Sequence, residues 1–208
     1  YNKVQNSPAR ESYITFDILG GDLTQSTGNA RDLINSVLSS LNSIVANSWN
    51  GYYNALYQVN NVISIVEDLP ESDLRNLIIG EAHYFRAYIY HSLVTRWGGV
   101  PIQRVNTMDK PFRDSEEAVW AFIEEELETA LAFLGTSSSC YYVSRDAALA
   151  LKARVMLERG KKTEAAALAE GLIKDGKYKL DSFDKIFRGK TNTEVIFSFQ
   201  CLAEESNI

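Results

Sequence analysis

No run of apolar residues in this chain approaches the ~18 that a membrane-crossing helix requires, so no segment reads as a helical span. Histidine is nearly absent: His83 and His91 are the only two, and there is no His-Glu-x-x-His. A metal site needs three or four convergent ligands, so both histidines read as packing or surface residues and no metal is expected. Cysteine is as scarce. Cys140 and Cys201 lie far apart in sequence and read by default as two free thiols, with a disulfide left open. Basic residues are outnumbered, 21 against 27 acidic, for a net charge of -6. That balance argues against nucleic acid as the main partner, because phosphate binding wants a basic face.

Catalytic patterns are missing too. There is no Gly-x-Ser-x-Gly elbow, no phosphate-binding glycine loop and no Cys-x-x-Cys. Carboxylates such as Asp17, Asp22, Asp114, Glu116 and Glu117 are available. A glycosidase needs two of them facing across a sugar at roughly 5–9.5 Å, and nothing in the sequence singles out a pair. The residues offer no constellation for an enzyme and imply no cofactor.

What is present is an ordinary globular composition, 45% hydrophobic and 23% charged, over 208 residues. That length can bury a core without metals or disulfides. Tyrosine (11) and tryptophan (3) are in modest excess, and amphipathic aromatics of this kind matter below.

The chain is organised around Gly80 to Ile102. Ile78, Ala82, Phe85, Ile89 and Leu93 recur at helical spacing, and Leu77, Tyr84, Tyr88 and His91 crowd a second flank. A helix apolar on most of its circumference is covered on more than one side. Gly98 and Gly99 end it, and Val100-Pro101 forbids its continuation. Ser72 caps its start, and the helix runs to Trp97.

Before it, the spacing predicts a helix from about Ala30 to Asn47, with Leu33, Val37, Leu41 and Ile44 inward. A second starts near Trp49 and runs to Glu67, with Tyr52, Leu56, Val59, Ile63 and Val66 as its face. Residues 1–29 read as surface loop, in which Tyr13, Ile14, Phe16, Ile18 and Leu19 anchor a short helix or an extended arm.

After the central helix, Asp114 and Glu117 have capping-box spacing. They open a helix with Val119, Phe122, Ile123, Leu127, Ala130, Leu131 and Leu134 inward, and Glu124, Glu125 and Glu128 on its solvated surface. Gly135 to Ser139 is a break. Ser144 starts an alanine-rich helix, Asp146 to Arg159, stopped by Gly160, and Lys162 to Lys174 forms its hairpin partner. Ala153, Gly160, Ala165 and Ala169 fall where tetratricopeptide (TPR) repeats use small residues for close helix approach. No 34-residue period covers the chain, so TPR-like hairpins are expected rather than a regular array. Tyr178, Leu180, Phe183, Ile186 and Phe187 read as a docking segment, and Glu194 to Gln200 as a strand. The chain opens at Tyr1 and closes at Ile208 soon after that strand-like run, as a processed or partial chain would. A lone strand needs a partner, so further chain is expected to follow.

Glu81 and Arg86 are charges on the most crowded helix and read as structural pairs rather than catalysts. The aromatics say more. Trp49, Tyr52, Tyr53 and Tyr57 cluster near a helix start, and Tyr141-Tyr142 sit in a serine-flanked loop. Aromatic faces suit the apolar face of a pyranose, and neighbouring Asn or Asp can bond its hydroxyls. Tyr52 and Tyr53 read as core. Trp49, between Asn47 and Asn50, reads equally as core and as a ligand contact.

A family resemblance rests on motifs in order. Glu81-Ala82, Phe85-Arg86-Ala87, Tyr90, Leu93 and Trp97-Gly98-Gly99-Val100-Pro101 resemble the signature helix of the SusD/RagB family. Trp49-Asn50-Gly51-Tyr52-Tyr53 with Asn60 is similar to its preceding aromatic helix. Arg113-Asp114-Ser115 with Ile123 and Leu127 resembles its next helix start, and Arg145-Asp146-Ala147-Ala148 through Leu157 its alanine-rich helix. Glu164-Ala165, Ala169, Tyr178, Leu180 and Glu194-Val195-Ile196-Phe197 follow in family order, so the match covers roughly Trp49 to Gln200.

The resemblance implies an all-α fold in which TPR-like helical hairpins form an α-α superhelix with little β-structure. Residues 1–208 would be one N-terminal helical domain, with the C-terminal half of the family fold absent. It further implies a nonenzymatic lipoprotein on the outer-membrane surface that binds oligosaccharides and delivers them to a TonB-dependent, SusC-like transporter. The lipid-bearing cysteine of the family has no counterpart here. Family ligand contacts lie in variable loops, so Trp49, Asp22 and Asn29 are candidate contacts by position and chemistry alone. The alternative is a TPR-like scaffold for protein–protein interaction. An enzyme such as a helical glycosidase is the third reading.

Overall fold

The computed structural model describes residues 1–5, 20, 30–35, 37, 39, 42–137, 139–188 and 192–200. The helices are α1 (Asn2–Val4), α2 (Ala30–Ile34), α3 (Ser43–Glu67), α4 (Asp73–Trp97), α5 (Glu116–Phe133), α6 (Arg145–Glu158), α7 (Lys162–Lys174) and α8 (Phe183–Arg188). No strand occurs among the described residues. The class is all-α, as expected. The arm anchored by Tyr13, Ile14, Phe16, Ile18 and Leu19 lies outside the described residues. Two compact units divide the chain: Tyr1–Ile65 with Phe85–Ile123, and Val66–Tyr84 with Glu124–Ile208.

In the first unit, α3 buries Tyr52, Leu56, Val59 and Ile63, the stripe expected from its spacing. From α4 come Phe85, Ile89, Tyr90 and Leu93, and from α5 come Val119, Phe122 and Ile123. Tyr90 and Phe122 meet edge-on at 5.0 Å, and Tyr1 meets Phe85 edge-on at 4.7 Å. α4 is buried almost continuously from Ala82 to Val94, which confirms a helix covered on several sides. Leu77 departs from this: it lies one turn before the covered stretch and is 41% exposed.

The expected helix Ala30–Asn47 is two pieces. Leu33 is buried and Ile44 and Val45 pack against it, but Val37 is 58% exposed. The intervening run Ser36-Val37-Leu38-Ser39-Ser40 is poor in helix formers and rich in residues whose side chains compete for backbone bonds. Asn42 then restarts the helix. Its Oδ1 accepts from the Ile44 N–H at 3.0 Å, the geometry of an N-cap. α3 therefore begins before Trp49, which sits in the second turn rather than at the start.

The stop after α4 is built from two glycines with different duties. Gly98 has φ 66°, a left-handed conformation that suits glycine. At Gly99 the need is space, because a Cβ would collide with the Asp114 carbonyl oxygen. Residues 100–115 fold back so closely that the Asp114 N–H donates to the Val100 carbonyl at 3.3 Å. The side-chain cap falls one residue later than the expected capping box, at Ser115 rather than Asp114. Ser115 Oγ accepts from the Ala118 N–H at 3.2 Å, while the Asp114 carboxylate accepts from the Ile102 N–H at 2.8 Å.

In the second unit, Leu127, Ala130, Leu131 and Leu134 are buried, as are Ala147, Ala148, Leu151, Val155 and Met156 of α6. α6 and α7 pack together as the expected hairpin, with Ala165 buried between them. Ser144 caps α6 by accepting from the Ala147 N–H at 3.3 Å. Glu124 ties α5 to the turn of this hairpin through Arg159 and through Lys161 at 2.9 Å. Burial alone would raise the Glu124 carboxyl, but the hydrogen bonds and charges of Lys161 and Arg159 outweigh it and hold the carboxyl below its ordinary range.

Two expectations for the end of the chain fail. Leu180 is 91% exposed and Phe183 is 76% exposed, so neither docks into a core. Glu194–Gln200 is not a strand. Its Ser198 N–H donates to the Cys140 carbonyl at 2.8 Å, and Phe197 packs on Tyr84 at 5.8 Å, so the run is held by single contacts rather than a ladder.

Two stability outcomes follow from these contacts. Phe85→Ala should cost about 3–5 kcal/mol in denaturant unfolding, as for a buried aromatic. An unchanged midpoint would place the core elsewhere. A lowered folded-state pKa stabilises fully above the unfolded value of about 4.3 and loses that contribution as pH falls through the folded value. The wild type should therefore lose melting temperature between about pH 5 and about pH 3 more steeply than Glu124→Gln. Parallel curves would deny Glu124 a part in stability.

Candidate functional site

Helical spacing on α3 puts Trp49 and Tyr53 on one face, four residues apart. Their ring centroids are 4.9 Å apart. Trp97, the last residue of α4, meets Trp49 edge-on at 5.4 Å and Tyr52 edge-on at 5.8 Å. Such pairs contribute about 0.5–1.5 kcal/mol each beyond area burial. Tyr52 is fully buried, in keeping with a core role, and the Arg96 guanidinium stands over its ring at 5.6 Å. Trp49, Tyr53 and Trp97 are only half-buried, and Asn47, Asn50 and Asn54 beside them on α3 are exposed. Half-covered aromatic rings bordered by amides make a mixed surface that suits a ring with one apolar face and hydroxyl edges.

Polar groups hold this cluster in place. The Tyr53 hydroxyl donates to the Pro101 carbonyl at 3.0 Å, and Tyr90 donates to the same oxygen at 3.3 Å. Burial, with the nearby Tyr90 and Asp114, pushes the Tyr53 hydroxyl far above the usual phenol range, so it remains a donor. Arg113 donates to the Trp97 carbonyl at 2.9 Å and to the Gly99 carbonyl at 2.6 Å, fixing the end of α4.

Of the candidate contacts, Trp49 lies within this cluster, and Asp22 and Asn29 lie outside the described residues. Tyr141 and Tyr142 are exposed, and both belong to the second unit. Sequence reasoning missed Trp97 as a possible contact, because its place in a helix-ending motif drew attention to the stop rather than the ring. Its position at the very end of a helix, where only part of a side chain can be covered, is the signal that could have found it.

Two ionisable groups of the central helix, His83 and Arg86, are engaged in buried pairing. His83 Nδ1 lies 2.8 Å from Glu126 Oε2, with both residues buried. Arg86 donates to Asn60 Oδ1 at 3.2 Å and to the Arg104 carbonyl at 3.1 Å, and its guanidinium stands 5.5 Å from the centre of the Phe122 ring. No group of three potential metal ligands occurs among the described residues. None of their helices is long and apolar enough to cross a membrane.

Residues 1–157 match the SusD-like family described as starch-binding and associating with the outer membrane. The chain belongs to the SusD-like family. The SusD-like protein P38 of Formosa agariphila is 29% identical over 166 residues, covering 77% of this chain and 32% of P38. A SusD superfamily protein of Bacteroides vulgatus superposes with a TM-score of 0.84 at 21% identity, covering 95% of this chain and 46% of that one. A structure solved with xylogluco-oligosaccharide superposes with a TM-score of 0.82 at 24% identity, covering 94% of this chain and 44% of that one. These two structures share the fold. This SusD-like chain thus spans less than half the length of each of these relatives.

Tyr53→Phe keeps the ring against Trp49 and removes one donor to Pro101. It should cost about 1 kcal/mol in denaturant unfolding. No loss would show that the Tyr90 bond suffices to hold the turn.

Proposed function

We propose that this chain is the glycan-contacting helical portion of a nonenzymatic surface protein that binds oligosaccharides and delivers them to a TonB-dependent transporter. The observation that carries this reading is the half-buried Trp49–Tyr53–Trp97 cluster bordered by exposed asparagines. It is supported by a shared fold with a protein solved with xylogluco-oligosaccharide and by the family description of starch binding and outer-membrane association. A pyranose stacks its C–H face on the uncovered part of the Trp49 indole, and the asparagine amides bond its hydroxyls. Asp22 and Asn29 are proposed as further polar contacts. In this reading a lipid anchor holds the protein at the outer-membrane surface, and binding leaves the glycan unchanged.

Isothermal titration of the complete protein against starch, xyloglucan and laminarin oligosaccharides tests this reading. At least one should bind without being hydrolysed, and Trp49→Ala should weaken it about tenfold, or ~1.4 kcal/mol. Silence across the panel, or hydrolysis that disappears when one carboxylate is replaced, would overturn it. Co-purification with an outer-membrane transporter rather than an unrelated soluble protein tests delivery.

A further inference from the structure

We infer that the second unit carries its own site for one neutral polyhydroxylated ring, a single monosaccharide unit, in the cavity at the N-terminus of α6. The cavity measures about 270 Å³ and is lined by Ser137, Ser144, Lys177, Tyr178, Asn192 and Ile196, among others. Sites for drug-sized ligands occupy roughly 300–1,000 Å³, so this one suits a single ring rather than a chain.

Its lining presents fixed donors whose bonds are incomplete among the described residues. Asn192 Oδ1 accepts from the N–H groups of Glu194 at 3.1 Å and Val195 at 2.8 Å, which immobilises the side chain. Its amide NH₂ has no partner among the described residues. Ser144 is only 3% exposed, and its Oγ accepts from the Ala147 N–H. The serine's own proton has no acceptor among the described residues. Lys177 donates to Asp146 Oδ2 at 2.8 Å and to the Ser137 carbonyl at 3.3 Å. The ammonium also bonds the Tyr178 hydroxyl, so its three N–H groups are engaged and it serves to hold the wall in place. Buried or immobilised polar groups with unmade bonds are costly unless a ligand or water completes them.

Charge decides the class of ligand. Tyr178 also donates to Asp146 Oδ2 at 2.8 Å, so the carboxylate is doubly bonded. Burial would raise the Asp146 carboxyl, but Lys177 and Tyr178 outweigh it and hold it low. The bond to Asp146 in turn raises Lys177. The pair is ionised and mutually neutralised, so the cavity offers no unmatched cation to an anion. Hydroxyls, each both donor and acceptor, fit the remaining groups, and Val195 and Ile196 face the cavity as an apolar wall for ring C–H groups. The ligand class follows from this lining, while its use in glycan capture rests on the function proposed above.

The test is saturation-transfer NMR and titration with D-glucose, D-xylose, D-galactose, D-galacturonate and xylogluco-oligosaccharide. Asn192→Asp keeps the oxygen that accepts from Glu194 and Val195 and removes the amide donor, so it should retain the wild-type melting temperature. The expected result is saturable binding of a neutral monosaccharide that Asn192→Asp weakens about tenfold. The site is overturned if no neutral monosaccharide binds, if only galacturonate binds, or if Trp49→Ala alone removes the signal. Lost monosaccharide binding with oligosaccharide binding intact sinks this site and spares the proposed function. Silence from every sugar sinks both.

Discussion

Residues 100–106 have no secondary structure of their own, and the first unit depends on satisfying their backbone. Buried carbonyls and N–H groups must find partners. Here the partners are side chains from two helices. Tyr53 and Tyr90 donate to Pro101, Asn60 donates to the Gln103 carbonyl at 3.0 Å, and Arg86 donates to Arg104. The Gln103 N–H returns a bond to the Tyr90 hydroxyl at 2.7 Å. These polar residues let α3 and α4 lie against an irregular loop by meeting its carbonyls at Pro101, Gln103 and Arg104. Arg86 and Asn60 also bond to each other, so one contact joins the two helices and the loop.

The same arrangement connects the fold to its candidate chemistry. Tyr53 has one end in the loop and its ring against Trp49, so the hydrogen bond that closes the turn also orients the aromatic cluster. Trp97 is held from the other side, through its carbonyl, by Arg113. A binding surface made of large rings gains from such fixing, because little ordering is left for the ligand to impose. In the second unit, the Lys177–Asp146–Tyr178 group does comparable work, immobilising polar side chains around a small cavity.

Much of the architecture was legible from spacing alone. The faces of α3 and α5 read correctly residue by residue, because a residue every 3.6 positions must bury or not bury as one stripe. Ser72 and Ser144 were recognisable as caps, and Arg75 N–H does donate to Ser72 Oγ at 3.1 Å. Errors came where two local signals competed. In the stretch 35–42 the apolar spacing argued for continuous helix, while serines and Asn42 argued for a break, and the side-chain cap prevailed. At Asp114 the capping-box spacing was genuine, yet its carboxylate was drawn to Ile102 and Ser115 took the cap. Leu180 and Phe183 look like core residues by composition, but their exposure depends on neighbours that local spacing does not specify.

Sequence by itself determined the helical class, the hard stop at Gly98-Gly99 and the family. These rest on local stereochemistry and ordered motifs, which act over a few residues. Only the tertiary structure decided that Trp97 joins Trp49, that Glu126 meets His83, and that Asn192 faces Ser144 and Lys177 across one cavity. The first two pairings join residues 48 and 43 positions apart, and Asn192 lies 48 positions from Ser144 and 15 from Lys177; no helical period or cap signal reaches that far. They arise when whole helices settle against each other, where burial selects which side chains meet.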